Sequence, residues 1–292
     1  MFARAAAVAA TAALPAAAAP AQQARNMATL KEISVRLKSI SNIAKITKSM
    51  KMIASTKVTR AQRTMEQARV FGEAATAILK YVEVEPKKDN VVVVTVSSDR
   101  GLCGGIHSSV SKATKRFLAA NPSASSAILG QKAKSQVQRE YRDNIFLSFD
   151  GVTKNAPTWF EAALIGDAIL SAKPEYESAS IIYNRFKSVI AFETESLSIP
   201  SVKSLASAPK LAAYEYDDDL LKNFEEFTIA NTLYWAIAEG YASEMSAKRT
   251  AMENATKNAG EMIQKLTLTY NRSRQATITN ELIDIITGAS AM

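Results

Sequence analysis

Two stretches, one at each end of the sequence, lack proline and nearly lack glycine, and they limit what the chain can become. The first runs from Ala28 to about Val84 with Gly72 as its only glycine, and the last runs from Leu220 to about Thr287 with glycine only at 240 and 260. In the first, apolar residues fall at Leu30, Ile33, Leu37, Ile40, Ile43, Ile46, Met50 and Ile53, in steps of three and four with one irregularity around Ile43. In the last, the same steps carry a stripe from Leu220 through Phe227, Tyr234, Tyr241 and Met252 to Met262 and Leu266. Such spacing predicts long helices with a coiled-coil seam. A helix of about 70 residues would span on the order of 100 Å, too long for the interior of one compact domain. Each helix therefore needs a partner, and the simplest arrangement pairs the two ends of the chain antiparallel.

Between them, from about Asn90 to Pro209, the pattern changes. Strands are predicted at Val91–Val96, Ala127–Gly130, Ile145–Phe149, Ser180–Tyr183 and Val189–Ile199, and helices at Gly105–Ala119, Lys132–Tyr141 and Thr158–Ala172. Their alternation points to a small α/β domain with a largely parallel sheet. The expected fold class is thus α/β with long helices. An antiparallel coiled coil of N- and C-terminal helices (28–84 and 215–292) carries an inserted, Rossmann-like α/β domain (90–209). Pro86 and the "PKKDN" cluster are expected to end the first helix. Acids at Glu215, Asp217, Asp218 and Asp219 suit the start of the last.

The first 26 residues are mostly alanine, with Arg4 and Arg25 and no acid. An acid-free, arginine-bearing leader broken by Pro15 and Pro20 fits a mitochondrial transit peptide, assigned to residues 1–27, better than a secretory signal. No later run reaches the length of a membrane span. The net charge of +8 sits in one place: Lys31 to Arg63 holds nine basic residues and one acid, Glu32, so the remainder of the chain balances. A stripe this basic raises nucleic acid, an anionic membrane or an acidic protein as partner. It contains no aromatic residue for base stacking, which argues against nucleic acid.

The stretch "SSDRGLCGGIHSSV" from Ser97 holds the only cysteine, Cys103, and the only histidine, His107. One cysteine excludes an internal disulfide and a four-cysteine metal cage. Glycines at 101, 104 and 105 match neither the dinucleotide nor the triphosphate loop. Four-residue spacing could put Cys103 and His107 on one helix face, with Asp99 as a third group for a nucleophile. The competing reading is a tight strand-to-helix turn with a small buried thiol. Paired carboxylates, Glu225–Glu226 and Glu281 with Asp284, read as solvated helix residues rather than an acid/base dyad.

"ATLKEISVRLKSISNIAKITKSMKMIAS" from Ala28, "SSDRGLCGGIHSSV" from Ser97 and "LTYNRSRQATITNELIDIITGASAM" from Leu268 resemble the gamma subunits of the rotary ATP synthases, in their mitochondrial form. The terminal pattern is met by Ile278, Thr279, Glu281, Asp284, Gly288 and Ala289. The resemblance implies a central stalk that catalyses nothing itself and holds no cofactor or metal. Its rotation would drive the beta subunits of an alpha–beta ring through ATP synthesis. Its foot would sit on the small stalk subunits, delta and epsilon, and on the membrane c-ring, at the matrix side of the inner membrane. Ile46, Thr47, Lys48, Met50 and Lys51 match the first-helix stretch that faces the ring's acidic lever loops. Arg272, Arg274, Gln275 and Thr277 match the C-terminal stretch that meets its catch loops, and Glu281 is a further expected partner contact. Ile285, Ile286, Ala289 and the ending "SAM" would form an apolar tip in the bearing. No nucleic-acid partner and no membrane span are expected.

Overall fold

The computed structural model describes residues 29–82, 90–173, 175–208, 210–211 and 216–291. The predicted leader, Pro86 to Asp89 of the "PKKDN" helix stop, and Glu215 lie outside the described residues. Contacts divide the chain into two compact units. Among the described residues, the smaller contains those up to Arg36 together with those from Leu268 onward, and the larger runs from Leu37 to Thr267.

Helix α1 spans Leu30–Ala75. Its start is set by a capping box: the Thr29 hydroxyl accepts from Glu32 N at 3.3 Å, and Glu32 Oε2 accepts from Thr29 N at 3.0 Å. A break at Thr76 separates it from the short α2 (Ala77–Val82), a division the even helical pattern did not foretell. There the Thr76 hydroxyl donates back to Gly72 O at 2.9 Å, competing with the backbone ladder. Helix α7 runs unbroken over Asp218–Ser290, 73 residues.

Within the larger unit the two helices pair antiparallel. Thr47 meets Thr256 (Oγ1–Oγ1 2.9 Å), Lys51 meets Glu253 (2.7 Å), and the Phe71 and Phe227 rings meet edge to face at 6.3 Å. As the number rises on α1 it falls on α7. The seam differs from the expected one. It keeps a strict heptad through Ile40, Thr47, Ala54, Ala61 and Ala68, interleaved with Val58 and Met65. Ile43, Ile46 and Ile53 stand outside it, each more than half exposed. Small side chains let the backbones approach closely, so the buried path follows alanine and threonine rather than the large aliphatics. On α7 the half-buried line after Ala259 passes through Ile263 rather than Met262, which is exposed.

The inserted sheet has strand order β3-β2-β1-β4-β5. Its strands are β1 (Val91–Val96), β2 (Ser125–Leu129), β3 (Ile145–Phe149), β4 (Ser178–Phe186) and β5 (Phe192–Pro200). All neighbours are parallel except β4 and β5, which form an antiparallel pair. Helices α3 (Ile106–Ala120), α4 (Gln131–Val137), α5 (Trp159–Ala172) and α6 (Val202–Ala206) complete the chain order. A capping box, Thr158 with Glu161, starts α5.

"VVVVTV" is buried along its whole length because both sheet faces are covered. Val91 and Val93 pack with Val110 and Leu118 of α3 and Val137 of α4. Val92, Val94 and Val96 pack with Ile165 and Ile169 of α5 and with Ile229, Leu233 and Ile237 of α7. The middle of α7 is therefore a layer of the α/β domain as well as a coiled-coil strand. That is why it is buried almost all round from Thr228 to Glu239.

Candidate functional surface

The glycine loop between β1 and α3 uses each of its reactive-looking groups for structure. Asp99 accepts from two backbone amides, Gln131 N at 2.7 Å and Gly151 N at 2.6 Å. Its first contact caps α4, and its second fixes the turn after β3. His107 Nε2 lies 2.8 Å from Arg100 O, which can only accept, so Nε2 carries the proton and Nδ1 accepts from the Ser97 hydroxyl at 3.0 Å. Burial holds the ring below the ordinary histidine range. The Cys103 thiol is buried and donates to Gly101 O at 3.1 Å. Burial first, and then the Glu244 carboxylate, push it up to about 12.

A thiolate is the nucleophile in cysteine chemistry, so these environments work against a catalytic pair. Alkylation of Cys103 at pH 8 is expected to run at least about tenfold slower in the folded protein than in the unfolded chain, because burial and the Glu244 carboxylate disfavour the thiolate. Equal rates in a time-resolved iodoacetamide assay would refute the burial argument.

The residues singled out on the first helix divide by side. Thr47 and Met50 turn toward the seam; Thr47 is 9% exposed, donates to Ala44 O at 3.1 Å and accepts from Thr256. Lys51 is part-buried and paired with Glu253, whose carboxyl it holds below the usual range through their hydrogen bond. Ile46 and Lys48 face outward. Beside them the exposed Ile43, Met52 and Ile53 widen an apolar strip on an otherwise basic helix. Three of these five outward residues escaped the sequence reading. The sequence stripe puts Ile43, Ile46 and Ile53 in the seam, and the heptad of small residues is the signal that excludes them.

On α7 the second group lies in the smaller unit. Arg272, Arg274 and Gln275 are exposed, and Thr277 is half-buried and donates to Ser273 O at 3.0 Å. From Ile278 to Ala291 every residue is exposed, including Glu281, Ile285, Ile286 and Ala289. Five of them are large aliphatics: Ile278, Leu282, Ile283, Ile285 and Ile286. The last residue of "SAM", Met292, lies outside the described residues. Among the described residues no group of three or more His, Cys, Asp or Glu side chains could hold a metal, and no helix is long and apolar enough to cross a membrane.

A family model described as ATP synthase matches residues 29–292. The mitochondrial ATP synthase subunit gamma of Yarrowia lipolytica is 47% identical over 274 residues, 92% of this chain and 94% of the relative. The chain belongs to the ATP synthase gamma-subunit family. The mitochondrial gamma subunit of the F(1) complex of Rattus norvegicus is 46% identical over 272 residues, 91% of this chain and 100% of its own. Among solved structures, a chain in the central stalk and c-ring of the Tetrahymena thermophila mitochondrial ATP synthase matches with a TM-score of 0.63 and 26% identity. The match covers 72% of this chain and 99% of that one. Gamma subunits are non-catalytic stalk subunits, and so is this chain, which accords with a glycine loop whose Asp, Cys and His all serve the turn.

Proposed function

We propose that the chain is the rotor of a mitochondrial ATP synthase, coupling proton-driven rotation of a membrane c-ring to conformational change in catalytic beta subunits. The observation that carries this is the end of α7. Five large aliphatic side chains lie exposed within nine residues, Ile278 to Ile286, a surface that calls for a partner of apolar lining. In this reading the end helices, 28–84 and 215–292, form the shaft inside a ring of alpha and beta subunits. Residues 90–209 stand on delta, epsilon and the c-ring at the matrix face of the inner membrane, and residues 1–27 direct import. Ile46 and Lys48 meet the acidic lever loops from the outer face of α1. Thr47 and Lys51 set that face by holding α1 to α7, with the half-buried Met50 beside them. Arg272, Arg274, Gln275, Thr277 and Glu281 contact the ring's loops, and Ile285, Ile286 and Ala289 line the bearing. Orientation of such a shaft biases each beta subunit only through contacts that differ from state to state.

The test is a pull-down of the tagged chain lacking residues 1–27, followed by subunit identification and an ATPase assay. A recovered hexameric ATPase is expected, with no ATP hydrolysis by the chain alone. In that complex Cys103→Ala is expected to keep the hydrolysis rate within about twofold, as for a residue outside the chemistry. Hydrolysis by the isolated chain, or salt-sensitive DNA binding without capture of alpha and beta subunits, would sink the proposal.

A further inference from the structure

Open α/β sheets hold their ligands beyond the carboxyl ends of the strands, where the chain reverses its direction of winding. Here that point lies between β1 and β4. The chain steps from β1 outward to β2 and β3, then returns to the other side of β1 as β4. The crevice is present, but α7 fills it. Ile237, Gly240 and Glu244 close over Val96, Ser98 and Asn184 and leave a cavity of about 10 Å³. A Cβ on Gly240 would reach Val96 Cγ1 at 3.6 Å, so the helix lies directly on the strand end. Ser243, one turn position away, donates to Asn184 O at 3.1 Å.

Three side-chain oxygens belonging to residues that line this one cavity have no hydrogen-bond partner of ordinary geometry among the described residues: Ser98 Oγ, Thr153 Oγ1 and Glu244 Oε2. The residues are 4%, 3% and 2% exposed. Leaving such groups unpaired is costly, and buried waters characteristically resolve it with about three hydrogen bonds each. We propose that Ser98, Thr153 and Glu244 together bind one ordered water, which pins α7 into the crevice of the sheet.

The stoichiometry closes. The water donates to Glu244 Oε2 and to one hydroxyl, and accepts from the other, so all three atoms are satisfied. The volume admits the centre of one water-sized molecule. A contact with the Ser98 hydroxyl favours the charged form of Glu244, but its geometry leaves Ser98 Oγ and Glu244 Oε2 short of a well-formed direct hydrogen bond. Burial raises the Glu244 carboxyl, while Arg100 and Lys248 act to keep it charged. Those two cations also disfavour a bound metal ion, and the cavity offers one carboxylate and no second acid. The site joins β1, the turn after β3 and α7, so it fixes the helix against the domain through a solvent molecule.

The test is a high-resolution map of the assembled complex containing the full chain. A peak within about 3.2 Å of all three oxygens is expected. A direct Ser98–Glu244 hydrogen bond with no peak, or a peak with contacts near 2.4 Å of the kind a cation makes, would overturn the proposal. Where a map does not resolve waters, a cycle decides. Ser98→Ala and Thr153→Val should each lower the thermal midpoint by about 2–6 °C. Because one water serves both, the double substitution should fall clearly short of the sum of the two shifts. Additive shifts would refute a shared water.

Discussion

Replacing Glu239 by alanine is expected to lower the thermal midpoint of the protein by about 10 °C, the equivalent of about 3–5 kcal/mol for a broken buried charge pair. Glu239 is fully buried on α7. Its two oxygens accept from Arg69 Nε at 2.8 Å, Trp235 Nε1 at 3.2 Å and Phe186 N at 2.8 Å. Arg69, on α1, donates further to Phe186 O at 3.2 Å. One carboxylate therefore ties both terminal helices to the end of β4, with every group satisfied. Alanine leaves a guanidinium, an indole N–H and a backbone N–H without their acceptor, and each would pay its desolvation cost. Glu239→Gln, which keeps one acceptor oxygen, should lose less than half as much. A drop within about 2 °C for Glu239→Ala would show that the network contributes specificity rather than stability.

Gly130→Ala is expected to be as damaging, for a different reason. Gly130 sits at φ +94, a conformation close to glycine-only, between β2 and α4. A Cβ there would lie 2.7 Å from Ser98 N and 2.8 Å from Ser98 Cα, and both are backbone atoms at the end of the central strand. Neither side can yield without shifting β1, whose two faces are packed. Strain and overlap together should cost about 3–5 kcal/mol. Gly104→Ala is the control: its φ of +66 is also left-handed, but a Cβ there meets nothing within 4 Å, so about 1 kcal/mol is expected. Equal losses in denaturant unfolding of the two variants would show that close approach is not what demands glycine at 130.

Legibility in the sequence followed how local each feature's cause is. Helix α7, the buried strand β1 and the start of α5 are encoded within a few residues of themselves: a period, an apolar run, a Thr158–Glu161 cap. The division of α1 faces was only half legible, because large aliphatics dominate a hydrophobicity pattern while the seam follows Thr47, Ala54, Ala61 and Ala68. The carboxylates were misread for the same reason. Glu225, read as solvated, accepts from the Tyr176 hydroxyl at 2.6 Å and from Val202 N at 3.1 Å. Glu239 and Glu244 attracted no notice at all. Their partners come from far along the chain, and a charged residue on a long helix resembles a solvated one until those partners arrive. The outward residues of α1 and the end of α7 were legible through family likeness, since exposure alone leaves no periodic mark.

The antiparallel pairing also orders events in time. Arg69 is followed by its partner Glu239 only 170 residues later, Lys51 by Glu253 after 202, and Thr47 by Thr256 after 209. At a synthesis rate of about 5–20 residues per second, the first helix waits roughly ten to forty seconds for its complement. Until then its alanine-lined face meets only the end of β4 around Phe186 and lacks its partner helix. The newborn protein must therefore be kept from premature association until its final quarter has been made, and its earliest helix is among the last to be completed.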